Sequence, residues 1–268
     1  SYSQSLGYED LSTMFSRNDR NGSARFVAMG GAFGALGGDV TAMTINPAGI
    51  SIFNDSNASI AFQSRSTDYL TTYYGNSTIT QQDFFKVSNA GVVFTFNNYT
   101  SDEWSKLAMG INYRVLADFE DTFIAKGTSG FASFDNFPLD NSENPLVYDI
   151  ADNQQLSNFY NGDMSELSFA FSGVYEEKMH VGAGLNFYDL NFSQQTILRE
   201  NNNDGNNNTL NARLYQENFT TGVGFSLSAG VIYKPTNAFR LGISYQSPTW
   251  FTEIIENTNI TNNDGFFG

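Results

Sequence analysis

The chain has 268 residues, a net charge of −15 at pH 7 and a mean hydropathy of −0.32. Its 28 acidic against 13 basic residues argue against a nucleic-acid partner and against attraction to an anionic lipid surface, because both need basic side chains. The absence of cysteine excludes disulfides and thiolate metal sites, and no apolar run is long enough for a membrane-spanning helix.

Residues 1–55 differ in composition from the rest of the chain. Ser1 opens a polar stretch without the charged and apolar regions of a signal peptide, so we expect an exported protein whose signal has been removed. Small residues dominate between Phe26 and Gly38, and Asn46-Pro47-Ala48-Gly49 has the composition of a turn, with φ fixed at Pro47. The sequence predicts a compact, partly helical domain over residues 1–55 without a core of its own.

From Asn57 onward the apolar residues repeat with a period of two, which is typical of β-strands. Seven segments show this alternation, and residues 252–260 form a weak eighth candidate. The apolar members of the seven segments run over residues 58–62, 92–96, 107–115, 167–171, 181–187, 225–233 and 239–245.

The polar faces of these strands carry Gly, Ala, Ser, Asn, Arg and Gln, whereas the outer face of a soluble sandwich favours Lys, Glu and Thr. A small or uncharged polar face opposite a continuous apolar face is typical of a membrane barrel with a polar lumen. A sheet in lipid must also close, because every strand edge needs a partner. We therefore predict an all-β fold, a transmembrane antiparallel β-barrel over residues 56–268.

The predicted connections alternate between long and short, as in outer-membrane barrels with long external loops and short periplasmic turns. This alternation places residues 1–55 at the periplasmic side and directs the first strand outward. Because residues 262–268 have the composition of an external loop, we expect further strands beyond them. The long connections are residues 69–85, 119–165 and 201–208, and the short ones are residues 98–103, 176–178 and 234–237.

Two segments carry a resemblance to a known family. Residues 22–33, followed by Asp39 and residues 46–50, resemble the N-terminal hatch of FadL-type outer-membrane transporters of long-chain fatty acids and other hydrophobic compounds. Residues 233–236 and 239–249 resemble a hairpin that this family carries near the middle of its barrel. The richness in glycine and asparagine resembles members from Bacteroidetes.

The resemblance implies a fourteen-stranded barrel, of which about seven or eight strands are present here, with a partly helical N-terminal hatch. It implies capture of an apolar ligand at external loops, transfer to an apolar pocket and lateral release through a gap opened by a kinked strand. By position, Asn46, Pro47, Ala48 and Gly49 match the hatch motif, and the location is the bacterial outer membrane, among its lipid and lipopolysaccharide.

Two groups of apolar residues are candidate ligand contacts. An inner pocket is predicted from five residues of the N-terminal region: Phe26, Met29, Phe33, Leu36 and Met43. An external capture loop is predicted from apolar residues within the long loop, because exposed apolar loop residues either pack on one another or receive a ligand. These residues are Phe131, Phe134, Phe137, Leu146 and Tyr148.

Simpler interpretations stand beside these hypotheses. The Asn46-Pro47 turn can stabilise the hatch without touching a ligand, and the aromatic loop can be a self-packed unit. The glycine run lacks the Gly-Lys-Ser/Thr of a phosphate loop, and residues 201–208 lack the ligands of a calcium loop. His180, the single histidine, lacks partners for a metal site or a triad, and pairs such as Glu176-Glu177 read as solvated charges, with cation-bridged lipopolysaccharide as the alternative.

Two functional hypotheses follow, and neither is enzymatic, because no nucleophile, base and orienting group can be assembled. The first is transport of hydrophobic small molecules by loop capture, a hatch-gated pocket and lateral release. The second is an accessory barrel that docks a protein partner in an outer-membrane secretion or surface assembly. No cofactor or metal is expected for either.

Overall fold

The structure, a computed structural model, describes residues 21–97, 103–133, 147–236 and 238–262, together with residues 13, 16, 17 and 19. Nearly all of this chain is antiparallel β-sheet. The strands are β1 (Asn57–Tyr73), β2 (Asn76–Asn97), β3 (Trp104–Asp118), β4 (Asp121–Gly127), β5 (Ile150–Tyr175), β6 (Met179–Asn203), β7 (Thr209–Thr236), β8 (Phe239–Gln246) and β9 (Trp250–Asn262). The prediction of an all-β, antiparallel architecture is confirmed.

The sheet is one curled wall in the order β1-β2-β3-β5-β6-β7-β8, a half-barrel in shape. β4 continues β3 along β5, and β9 continues β8 along β7, so each pair acts as one interrupted strand. The weak eighth candidate is therefore a strand, but it continues the seventh strand rather than adding another. Pro248 lies in the second interruption, where its missing N–H suits a break in the ladder.

Two predicted long loops are wrong in part, because strands occupy most of the first and about half of the second. Residues 69–85 belong to β1 and β2, which meet at a tight turn where Tyr74 and Gly75 both have positive φ. The predicted loop 119–165 contains β4 and the first half of β5. Polar residues dominate these extensions. The alternation of apolar and polar residues that marks the short-turn ends of the strands is therefore lost there.

The convex face of the wall carries an apolar belt near the end where the short turns lie. On β7 it runs from Val223 to Tyr233, close to the roughly 9–11 residues with which a tilted strand crosses a bilayer. Aromatic pairs mark both borders, Trp104 with Tyr175 at one and Phe225 with Trp250 at the other. The exposed apolar side chains of the belt include Ile60, Phe62, Phe94, Phe96, Leu107, Met109, Ile111, Leu167, Phe171, Phe187, Leu227, Val231, Leu241 and Ile243.

The concave face has the opposite character, because its small and polar side chains are the buried ones. Between the exposed Met109 and Ile111 lies buried Gly110, and between Phe225 and Leu227 lies Ser226, which is fully buried. Past the belt many convex positions turn polar, as at Asp189 and Asn191 of β6, although Leu70 and Ile79 remain exposed at the far end of β1 and β2. The alternation predicted from the sequence is thus confirmed with its apolar side facing outward.

Residues 21–56, called the N-terminal segment below, cover the concave face of the belt. The segment contains a short helix, Ala24–Ala28, and two 3₁₀ helices, Thr41–Thr44 and Pro47–Ile52. The side chain of Ser23 caps the first helix by accepting from the N–H of Phe26, and Asn46 caps the last by accepting from Ala48. The second 3₁₀ helix touches β3, β5, β6 and β7. The segment also has a small apolar cluster of its own, Phe26, Phe33 and Ala42, which the prediction of a segment without a core missed.

Candidate functional site

Strand glycines give the N-terminal segment its place on the wall. A Cβ on Gly182 would lie 2.5 Å from the carbonyl carbon of Pro47, and a Cβ on Gly230 would lie 2.8 Å from Cγ of Asn46. These approaches are too close for any side chain on the strand. The row of inward-facing glycines that receive the segment is Gly91 on β2, Gly110 on β3, Gly182 on β6, Gly230 on β7 and Gly242 on β8.

Asn46 is the most heavily bonded residue of the predicted hatch motif. Its side chain is fully buried, and its Oδ1 accepts from the N–H of Ala48 at 3.0 Å. Its Nδ2 donates to the carbonyl of Gly34 at 2.6 Å and points to the carbonyls of Val231 and Ile243 at 3.4 and 3.5 Å. One amide thus caps a helix, crosslinks the segment and meets two wall strands.

We expect Asn46→Ala to lower the free energy of unfolding by about 0.5–2 kcal/mol, the usual cost of a lost N-cap. Asn46→Asp keeps the cap acceptor but sets a carboxylate oxygen against the Gly34 carbonyl, so it should be at least as destabilising. Urea unfolding of the detergent-solubilised protein measures both variants. Asn54→Ala, an exposed position of the same segment, is the control, and an unchanged midpoint for both Asn46 variants would contradict this assignment.

A buried network of two hydroxyl groups and an imidazole holds the second 3₁₀ helix against the wall. The Ser51 hydroxyl lies 3.0 Å from the carbonyl of Ala48, 2.9 Å from the hydroxyl of Ser172 and 2.8 Å from Nδ1 of His180. Ser172 also donates to the Val181 carbonyl at 2.9 Å. His180, for which the sequence offered no role, therefore joins β6 to the N-terminal segment.

The predicted pocket residues do not share one environment. Phe26 and Phe33 stack on each other at 5.5 Å and are almost completely buried inside the segment, with Leu36 against them. Met43 packs between the segment and the wall, whereas Met29 is 42% exposed. A ligand contact at these residues stays a prediction.

Beyond the segment, a hydrogen-bonded polar row crosses the concave wall. Arg114 of β3 pairs with buried Glu166 of β5 at 2.6 Å, and Tyr188 of β6 donates to the same carboxylate at 3.3 Å. Gln246 of β8 donates to the Tyr188 oxygen at 2.7 Å and to Ser226 at 3.1 Å. The row spans the wall from β3 to β8 and ties its strands together at one level.

The wall is discontinuous between β2 and the interrupted strand β3–β4. The β2–β3 ladder ends at Asn89 and Arg114. Beyond that level, residues 76–88 pair with β1 and β4 pairs with β5, so within the described chain no backbone ladder joins the two sides. We call this boundary, between residues 76–88 and 115–127, the seam.

Side chains bridge the seam. Asp118, almost fully buried, forms ion pairs with Lys86 of β2 and Arg65 of β1. The Tyr69 hydroxyl donates to Asp121 at 2.7 Å, and burial, followed by this hydrogen bond, raises the pKa of Tyr69 above its ordinary value. This hydrogen bond joins β1 to β4 across the seam.

Apolar side chains flank the seam on both faces. On the concave side, Phe119 at the β3–β4 interruption packs edge-on against Phe192 at 5.7 Å, within a cluster that includes Leu190. On the convex side, Phe85 is 71% exposed and stacks with Phe62 at 5.5 Å. The seam thus lies between an inner apolar cluster and the belt.

The predicted capture loop is described only in part. Phe131 is 79% exposed and Tyr148 is half-buried. Phe134, Phe137 and Leu146 lie outside the described residues, so a capture role stays a prediction.

The asparagine-rich predicted loop is a tight turn, because β6 and β7 extend to residues 203 and 209. The carboxylate of Asp204 accepts from the side-chain amide of Asn208 at 2.7 Å and from the N–H of Asn206 at 2.8 Å. The Asn208 side chain, followed by these backbone donors, holds the pKa of Asp204 below its usual value. The hydrogen bonds of this carboxylate therefore stabilise the turn.

A cationic cavity of about 590 Å³ lies at the short-turn end of the wall, next to the end of the N-terminal segment. Lys106, Lys234 and Arg240 line it from three strands, together with His180 and Glu177. This site was not predicted from the sequence, since Lys106 lies 128 positions before Lys234, and Arg240 follows six positions later on another strand. The sequence signal that they share is a basic residue near the short-turn end of each strand.

Among the described residues no three His, Cys, Asp or Glu side chains gather where they could hold a metal ion. The helices of this part of the chain are too short or too polar to cross a membrane.

Fold and site together define a curled antiparallel half-barrel wall with an apolar convex face, whose concave face is filled by the preceding segment. Comparison of the chain with protein-family models, with curated proteins and with solved structures finds no match.

Proposed function

We propose that the chain is part of an outer-membrane β-barrel that transports hydrophobic small molecules, with the N-terminal segment as its plug. The observation that carries the proposal is the inverted wall, apolar outside and polar inside. In water the belt would be a large exposed apolar patch and an aggregation hazard, whereas lipid solvates it at no cost. The aromatic pairs at its two borders fit the girdles of such barrels.

The edges of the wall support further strands around the lumen. Within the described chain, β1 and the β8–β9 strand pair on one side only. Because unpaired strand edges are not tolerated in lipid, closure into a full barrel completes the fold. The fourteen-stranded closure implied by the FadL-like motifs is compatible with a wall of seven strands.

The seam supports a hydrophobic substrate and an exit through the wall. The polar row and the segment obstruct the axis with hydrogen-bonding groups, which an apolar solute cannot satisfy. At the seam the same solute meets Phe119, Phe192 and Leu190 inside and Phe85 outside. Within the described residues no backbone ladder crosses this boundary, so opening it breaks side-chain contacts, among them the ion pairs of Asp118, and leaves every ladder of the wall intact.

The direct test is uptake of a fluorescent long-chain fatty acid by cells with and without the protein. We expect faster uptake in cells that carry it, and no difference for a hydrophilic dye of similar size. Equal fatty-acid uptake by both strains, with the protein folded in the outer membrane, would sink the transport proposal.

Pro47→Ala tests the plug as a gate. Pro47 fixes φ at the first residue of the second 3₁₀ helix, and alanine can adopt the same conformation with a more mobile backbone. We expect fatty-acid uptake to change about twofold or more, with the unfolding midpoint nearly unchanged. Pro235→Ala, an exposed turn position outside the segment, is the control, and unchanged uptake in the folded Pro47 variant counts against gating.

One observation favours docking of a protein partner as a second function. β5, β6 and β7 continue well past the belt as a polar sheet, with Asp189 and Asn191 on its convex face. Such a sheet is more than a solute channel requires. Purification from native membranes in mild detergent, followed by mass spectrometry, separates the functions: a stoichiometric protein favours docking, and a bound apolar molecule alone favours transport.

A further inference from the structure

We propose that the cavity at the short-turn end of the wall is a binding site for an oxyanion, the carboxylate or phosphate group of a small solute. Its lining combines three cations with polar groups of the plug, among them Ser51 and Asn54. The proposal is separate from the transport proposal, because it concerns binding at a defined site and not passage.

The three cations are not neutralised by ion pairs. Among the described residues, none of Lys106, Lys234 and Arg240 has a carboxylate oxygen within 4.0 Å. Glu177 is the one carboxylate in the cavity lining. In a chain of net charge −15, cations collected in one concave site without partners create a local attraction for anions.

The cations have donors to spare for a ligand. Lys106 donates to the carbonyl of Phe53 at 2.8 Å, and Arg240 donates to the carbonyl of Leu36 at 2.7 Å. These bonds use one of the three N–H groups of the ammonium and one of the five of the guanidinium. They also hold the two side chains in place, which lowers the entropic cost of binding.

The dimensions suit a small organic anion. A volume of about 590 Å³ falls within the usual range of ligand pockets and exceeds what a bare phosphate occupies. The solute would touch the plug through Asn54, which lines the cavity and is exposed, three residues after buried Ser51, whose hydroxyl lies 2.8 Å from His180 on the wall. Binding therefore affects the contact between the plug and the wall.

Calorimetry on the full-length protein in neutral detergent at low salt tests the proposal, with octanoate and inorganic phosphate as the two probes. The variant Lys106→Gln/Lys234→Gln should bind either probe about tenfold or more weakly, since charge-assisted hydrogen bonds are lost. Raising the salt to about 0.5 M should weaken wild-type binding as well, because screening weakens exposed charges.

Lys178→Gln is the matched control, because it removes an exposed cation from the neighbouring turn without altering the cavity lining. Binding of octanoate alone assigns the site to the head of an amphiphile, and binding of phosphate alone assigns it to a phosphorylated solute. Either result supports the site if the Lys106→Gln/Lys234→Gln variant loses binding of that probe. Failure of both probes, or equal loss in the control, overturns the proposal, and neither outcome depends on fatty-acid uptake.

Discussion

Gly182→Val will dislodge the N-terminal segment while leaving the wall able to form. The new side chain would collide with backbone atoms of Pro47 and Ala48, which cannot rotate away as a side-chain end can. Overpacking of this kind costs about 1–3 kcal/mol, and more where backbone must move. We expect a lower urea midpoint and proteolysis of the N-terminal segment while the wall stays folded.

The control for this variant is Ala183→Val, one residue further along the same strand. Ala183 lies on the convex face and is exposed, so valine there meets no atom of the N-terminal segment and suits a β-strand. Limited proteolysis followed by mass spectrometry reports the state of the segment. A protected segment in Gly182→Val would show that the plug does not depend on this close approach.

Met109→Arg will be the most damaging convex substitution in β3. Met109 pairs with Phe171 near the middle of the belt and is 44% exposed. Arginine near the midplane of a bilayer costs about 2–4 kcal/mol in a barrel wall. We expect the free energy of unfolding, measured in phospholipid vesicles, to fall by that amount.

Asn191→Arg is the matched control, since Asn191 faces the same side of the wall but lies past the belt. Its cost should be close to zero, because the side chain remains in water. Equal effects of the two arginines would mean that the belt does not contact lipid.

The fold was predictable wherever one face of a strand is apolar. The alternation of Leu107, Met109 and Ile111 with small residues gave both the strand and the direction in which it faces. The outer halves of the strands were not predictable in this way. Around Gln195 and Glu217 both faces are polar, and polar residues on two faces have the composition of a loop.

The site was less predictable than the fold, because its contacts join distant residues. Asn46 was identified from its motif, but its bonds to Val231 and Ile243 depend on the curvature of the wall. Gly182 and Gly230 stood in the sequence as small residues of a polar face. Glycine within a strand signals the approach of another backbone. Applied to each strand, this signal would have located the row of inward-facing glycines that receive the N-terminal segment.

The contact between Asn46 and β8 has a kinetic consequence. These partners are separated by 197 residues, and the glycines that receive the segment are spread from β2 to β8. Contacts so distant along the chain make folding slow, because a long loop must close before they form. The segment is synthesised first, yet its contacts are complete only when the last of these strands has formed. Until then its apolar side chains are exposed. Its Gly- and Ala-rich composition limits the apolar surface that is unprotected during this wait.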